Sequence, residues 1–541
     1  MPDAVVIGAG PNGLVAANVL ADAGWDVLVL EAQDEPGGAV RSDRGAHPDY
    51  VSDTCSAFYP LGVASPAMRA MELERYGLRW RHAPAVLAHP LPDGRCAVLE
   101  RDPERTAAGL DVLSPGDGDA WLRLYGQWQA LSDDLLQALF TPFPPVRPGI
   151  ALAARLRAAG GLRLLRFLTL PVRRLGEEEF ASEGGRLLFA GSALHTDLFP
   201  DAAGSAVFGW LLTMLGQQYG WPAPEGGAGE LTRALVRRLE ERGGKVQCST
   251  PVTSVIVREG RALGVRTADG ESVRAVKGVF ADVPATSLYG GLVGWEHLPS
   301  RLRDDMRRFQ WDAPAFKVDW ALSGPIPWTA RQASRAGTVH VADSVNSMTE
   351  YDSQIVTGQV PDNPFLLMGQ MTTTDDTRSP EGTESAWAYT HVPIRTSSDR
   401  GPDGITGVWD EREEEAMADR VEAVVERRAP GFRQRIVGRR ILSPRTLEEH
   451  NASLVGGSIN GGTSGIHQQL FFRPVPGTGR PETPVRGLYL ASSSAHPGGG
   501  VHGACGSNAA RAAIRADGAL RRHLLKPALS LAQRALIRGA G

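Results

Sequence analysis

Residues 4–31 read Ala4-Val5-Val6-Ile7, Gly8-Ala9-Gly10-Pro11-Asn12-Gly13, an Ala/Leu/Val-rich stretch from Leu14 to Ala23, Gly24, and Val27-Leu28-Val29-Leu30-Glu31. The two short apolar runs, rich in β-branched residues, have the pattern of parallel strands buried on both faces. Between them Leu14 to Ala23 suits a helix, and Gly24 stands where a helix ends. Each glycine has a job. Gly8 permits the tight turn out of the first strand, Gly10 lets the backbone approach a pyrophosphate, and Gly13 lets the helix pack close to the strand. The helix start offers free N–H groups and the positive end of its dipole to phosphate. Glu31 follows about 20 residues on, where an acid accepts hydrogen bonds from a ribose. A lone GxGxxG in a glycine-rich chain is a weak signal; one between a strand and a helix, with the terminal acid, is strong. The fold expected is α/β with a Rossmann-type dinucleotide site. The motif alone leaves NAD and FAD both open.

The rest of the composition excludes more than it identifies. At 541 residues the chain has room for two or three structural units. A net charge of -4 gives no reason to expect nucleic acid as a partner. Cys55, Cys96, Cys248 and Cys505 are far apart, so neither a disulfide framework nor a zinc site is expected, and no metal. No apolar run reaches the roughly 18 residues that cross a bilayer. The first strand, expected from Ala4, leaves no room for a charged secretory region. The compartment expected is the cytoplasm.

The residues after Glu31 sharpen the reading. Ala32-Gln33-Asp34-Glu35-Pro36-Gly37-Gly38-Ala39-Val40-Arg41-Ser42 resembles the flavin amine oxidase and carotenoid desaturase superfamily, where an acid, a short spacer and a Gly-Gly pair lie along FAD. Arg stands at 41, two places later than in many members. The Gly-Gly-Ala start is closer to the branch of the carotene ketolases and of the pyridine nucleotide-disulfide oxidoreductase domain-containing protein 2 type. A second segment, Glu225 to Leu231, leads into a helix pattern over Thr232–Arg242 and strands from Lys245 and Val252; the resemblance lays Val252 against the adenine. A third, Leu488-Tyr489-Leu490 through His496-Pro497-Gly498-Gly499-Gly500-Val501-His502-Gly503-Ala504, is similar to the C-terminal signature of carotenoid desaturase relatives, which passes the isoalloxazine ring. Related oxidases carry an Asp near its start, bonding the ribityl chain; here Ser492-Ser493 stand there.

The resemblance implies a glutathione-reductase-like FAD domain built from residues 1–60, 222–290 and 484–520. An α+β substrate domain of sheet and helices, residues 61–221 and 291–483, is inserted into it. A basic tail runs over 521–541. It implies FAD as cofactor, held by Gly8, Gly10, Pro11, Asn12, Gly13, Glu31, Ala32, Gly37, Gly38, Arg41, Val252, Ser493, Gly499, Gly500 and Val501. It also implies an oxidoreductase of the dehydrogenase or desaturase kind, acting on a hydrophobic small molecule such as a polyene or isoprenoid. Electrons would pass on to oxygen, a quinone or another acceptor. With one GxGxxG in the right context, no second nucleotide unit for NAD(P)H is expected.

Flavin performs the electron transfer, so a dedicated acid or base is not required. Two candidates stand out. Lys317, in Ala315-Phe316-Lys317-Val318-Asp319-Trp320, falls on an expected strand; amine oxidases of the superfamily place a lysine near flavin N5 on a comparable one. The competing reading is a lysine snorkelling at a sheet edge. His502 lies in the glycine loop within reach of the flavin edge, against a histidine bonded only to backbone. His496 reads as a structural part of that loop, and His195 and His391 as candidates for the cavity wall. An amine oxidase releasing hydrogen peroxide is the alternative enzyme, resting on Lys317 and an aromatic cage from Trp387 and Tyr389; a flavin binder without turnover is the alternative outside catalysis. Two Leu/Arg-rich stretches, Ala151–Arg174 and Leu520–Arg538, suggest peripheral contact with the inner face of a membrane, against ordinary packed surface helices.

Overall fold

The computed structural model describes residues 1–142, 144–146 and 161–518. Five parallel strands form one sheet, in the order Leu488–Leu490, Gly278–Ala281, Ala4–Ile7, Val27–Leu30 and Lys245–Gln247. Its central strand, Ala4–Ile7, is buried along its whole length, which is why the run carries no polar residue. The helix after it spans Pro11–Asp22, starting three residues before the apolar pattern does. Proline is at home at the first helical position, where its missing N–H is no loss.

A second helix, Ala504–Asp517, packs along the first. The approach is so close that a Cβ at Gly506 would lie 1.8 Å from the carbonyl oxygen of Asn12. Small residues on both helices, Ala16, Ala17, Ala509 and Ala510, fill the seam. The third helix on this sheet is Gly229–Glu241. The strands Val252–Arg258, Arg261–Thr267 and Ser272–Arg274 form a small antiparallel sheet.

A seven-stranded mixed sheet makes the other large layer. Its order is Ile436–Leu442, Ala315–Leu322, Glu384–His391, Leu366–Gln370, Ala336–Val341, Ala85–Pro90 and Cys96–Leu99. The helices Asp117–Phe140, Glu183–Ala193 and Ser205–Tyr219 bury Trp121, Trp128, Phe189 and Trp210 against its outer strands. Ala315–Leu322 is buried throughout, including Lys317 and Asp319. A lysine in such a strand needs a counter-charge, and its source matters below.

Of the first Leu/Arg-rich stretch, 161–174 is described. It holds the helix Gly161–Phe167 and the start of another, Val172–Glu179. Residues 151–160 and the tail from 519 lie outside the described residues. No helix among the described residues is long and apolar enough to cross a membrane.

Candidate active site

A cavity of about 1030 Å³ opens where the carboxyl ends of the parallel strands meet the seven-stranded sheet. At one end the turn after Ala4–Ile7 is held from three sides. Gly8 has φ +91°, a conformation only glycine adopts without strain, and its N–H donates to the Leu30 carbonyl. Glu31 is nearly buried; one carboxylate oxygen accepts from the Ala9 N–H at 2.7 Å and the other from the Gln33 N–H at 3.0 Å. Asp282, directly after the strand Gly278–Ala281, accepts from the Gly13 N–H at 2.7 Å. A Cβ on Gly10 would stand 2.6 Å from that carboxylate, and one on Gly13 would stand 2.2 Å from the Gly8 carbonyl oxygen. Burial raises the Asp282 carboxyl to about 7, with the nearby Glu31 charge adding to it.

The Gly37–Gly38 pair closes over this turn. The Gly37 N–H donates to the Ala9 carbonyl, and a Cβ on Gly38 would lie 3.3 Å from the Gly10 Cα. Arg41 lines the cavity with its guanidinium on the carbonyls of Gly38 (3.1 Å) and His450 (2.8 Å). Of the residues expected at the cofactor, Gly8, Gly10, Pro11, Asn12, Glu31 and Ala32 line this end together with Gly38 and Val252. Gly13 and Gly37 stand one layer behind the wall.

The far segment comes to the same cavity through Ser493, Gly499, Gly500, Val501 and His502. Its backing was not legible in the sequence. Arg473 is fully buried and has carbonyls as partners: Ser493 at 2.8 Å, Asn460 at 2.9 Å and Thr463 at 3.0 Å. Asp312, also fully buried, accepts from the N–H groups of Ile459, Asn460 and Gly462 and from the Ser458 hydroxyl. One side chain satisfies the loop's acceptors and the other its donors. The loop they hold presents Asn460, whose Nδ2 is sealed from solvent without a protein partner. Asn12 Oδ1 at the glycine turn is in the same condition.

His502 Nδ1 accepts from the Ala504 N–H at 3.0 Å, so the ring carries its proton on Nε2. Burial lowers it to about 4, leaving it neutral. His496 is hydrogen-bonded to the Thr141 carbonyl at 3.0 Å, and His391 to the Ala313 carbonyl at 2.9 Å; neither lines the cavity. His195 does line it.

Lys317 is not brought to the cavity wall. Its ammonium is ion-paired with Asp319 and donates to the Asp53 carbonyl at 2.9 Å. Arg440 holds the other Asp319 oxygen. Asp53 is in turn paired with Arg378, which also holds Asp375. This is neither the flavin-facing lysine nor the snorkelling one the sequence suggested: Lys317 faces inward, into a buried ion network. Trp387 and Tyr389 both line the cavity, their rings nearly parallel (23°) with centroids 6.0 Å apart.

Comparison with known proteins places this arrangement. The family model described as flavin containing amine oxidoreductase matches residues 12–514. The chain is similar to pyridine nucleotide-disulfide oxidoreductase domain-containing protein 2 of Rattus norvegicus, 29% identical over 560 residues and covering 95% of this chain and 93% of the relative. It is similar to a phytoene desaturase (neurosporene-forming) of Rhodobacter capsulatus, 24% identical over 534 residues, covering 94% and 92%. Among solved structures it shares its fold with an oxidoreductase from Methanosarcina mazei, at TM-score 0.62 and 15% identity, covering 94% and 99%.

Proposed function

The chain belongs to the flavin-containing amine oxidoreductase family, as a flavin-dependent enzyme with FAD as its cofactor, and from that premise we propose that it oxidises an apolar polyene or isoprenoid substrate as a dehydrogenase or desaturase does. The observation that carries the substrate reading is the lining of the cavity. Beyond the glycine turn it is walled by Phe208, Leu211, Leu212 and Trp221. The three carboxylates that line it, Glu31, Asp282 and Glu448, belong to the turn or to the segment held by Arg41. A cationic amine would find no counter-charge at the apolar end among the described residues, and Lys317 is spent elsewhere.

The residues present fit FAD. A Cβ at Gly10 or Gly13 would collide with Asp282 or with backbone, so the close backbone approach a diphosphate needs is built in. Glu31 uses one lone pair of each oxygen on the turn and keeps others for ribose hydroxyls. When bound, FAD supplies the electron acceptor for substrate oxidation. The protein orients, excludes water and holds neutral donors. His502, with its proton on Nε2, is a donor beside the glycine loop rather than a base.

Two results follow. Asp282 is neutral below about 7 and anionic above it. An anion at the turn that would hold the diphosphate would oppose its binding, so FAD affinity is expected to fall as pH rises through that value. In Asp282→Asn the dependence flattens, which FAD titrations at pH 6 and pH 8.5 measure; an unchanged slope in the variant removes Asp282 from the account. The substrate reading is tested by anaerobic mixing of the holoenzyme with polyene and isoprenoid candidates, chosen from lipids extracted with the purified protein and identified by mass spectrometry. Bleaching of the flavin band by such a lipid is expected. Bleaching by amines instead, with hydrogen peroxide released on admitting air, would replace it with the amine oxidase reading.

A further inference from the structure

Two histidines far apart in sequence meet at the apolar end of the cavity. His195 follows the helix Glu183–Ala193, and His340 sits on the strand Ala336–Val341. Their Nε2 atoms are 2.9 Å apart. One must donate and the other accept, because burial keeps both rings neutral. The surroundings decide which. His340 is fully buried, and its Nδ1 has no hydrogen-bond partner. A Cβ at Gly191 would lie 2.2 Å from that nitrogen, so it is pressed against the Gly191 backbone with no space for water. A proton there would be a sealed donor without an acceptor, costing about 1–3 kcal/mol, whereas a bare ring nitrogen costs less. His89, edge-on to His340 at 6.3 Å, has its Nε2 on the Ala342 carbonyl and its Nδ1 without a partner, and no hydrogen bond joins the two rings. His340 therefore carries its proton on Nε2 and donates it to His195 Nε2.

That fixes His195 in turn. With Nε2 accepting, its proton is on Nδ1. Among the described residues this atom has no protein partner, yet it is not one of the sealed polar atoms, and His195 forms part of the cavity wall. Trp221 packs on the ring at 82° and 4.8 Å, holding its orientation. The cavity is thus offered one fixed neutral N–H donor amid Leu211, Leu212 and Trp221.

We infer that the apolar substrate carries a hydrogen-bond-accepting oxygen, a carbonyl or hydroxyl, which His195 Nδ1–H binds and whose donor His340 holds in place. This rests on the cavity taking an apolar substrate and narrows that class to oxygenated members. A pure hydrocarbon would leave the buried N–H unsatisfied, so the site discriminates against it. His340 acts as a positioning residue.

The test uses the FAD-loaded enzyme and two probes: geranylacetone, an open-chain isoprenoid ketone, and the hydrocarbon with CH₂ in place of its carbonyl. The ketone is expected to bind about tenfold more tightly, the equivalent of one buried hydrogen bond. His195→Phe should bring the ratio near one while the hydrocarbon still binds, and His340→Leu should lower it. An isotope-edited infrared spectrum of ketone on the unaltered enzyme, which needs no variant to fold, should show the carbonyl stretch at lower wavenumber than in an apolar solvent. Equal affinity for both probes with an unshifted carbonyl overturns the inference and leaves the apolar-substrate reading standing. Binding of neither probe overturns that reading and the inference with it.

Discussion

Replacing Gly13 by alanine is expected to cost the protein its flavin while leaving most of the fold in place. The added methyl would sit 2.2 Å from the Gly8 carbonyl oxygen, and about 3 Å from two atoms of Asp282. The first obstacle is backbone at the end of the central strand, so no side-chain rotation relieves it. The helix Pro11–Asp22 must shift, and with it Asn12 and the Gly13–Asp282 hydrogen bond at the turn that would hold the diphosphate. FAD affinity should fall by roughly 100-fold, the equivalent of about 3 kcal/mol, which lies at the upper end of overpacking costs. Gly109→Ala is the control: nothing lies within 4 Å of its Cβ position on the outer helix Pro103–Leu113. Equal flavin affinity in the two variants would mean that the turn after the first strand does not carry the cofactor.

The largest loss of stability is expected from Arg378→Met. Arg378, Asp53 and Asp375 are all fully buried, at 0% side-chain exposure. The guanidinium holds one carboxylate at 3.0 Å, the other at 2.9 Å, and the Pro224 carbonyl at 3.2 Å. Methionine fills comparable space but strands two buried carboxylates, so the loss should reach about 3–5 kcal/mol. Arg166→Met, which breaks an exposed, solvent-screened pair with Glu178, should leave stability nearly unchanged. Urea unfolding of both variants measures the contrast, and similar small losses would show that the buried network is already solvated. Asp53 also accepts from the Ala228 N–H, just ahead of the helix Gly229–Glu241. Flavin retention should therefore weaken in Arg378→Met as well.

These two sites mark what the sequence could and could not reveal. The glycine turn was legible because all its parts lie within 31 residues and each has a local physical reason. The far segments were legible through family motifs, and Ser493, Gly499, Gly500 and Val501 do reach the same cavity as Gly8 and Glu31. Lys317 was misjudged because its partner set is non-local: Asp319 is two residues away, but Asp53 and Arg440 arrive from distant segments. Asp282 was missed although a signal existed. Val279-Phe280-Ala281-Asp282 repeats the form of Val27-to-Glu31, an apolar strand closed by an acid, and both acids accept from N–H groups of the glycine turn. Arg473 and the His195–His340 pair had no such signal. Their roles come from carbonyls and a ring that only the fold brings near.

The claim on which the rest depends is that the Gly8–Gly13 turn and Glu31 hold FAD. Titration of the flavin-stripped protein with FAD, followed by flavin fluorescence and the visible spectrum, tests it most directly. The account predicts stoichiometric uptake with a structured yellow absorption band, lost in Gly13→Ala and not competed by NAD. Protein that stays colourless with FAD in excess, or that takes up flavin equally well with Gly13 replaced, would contradict it.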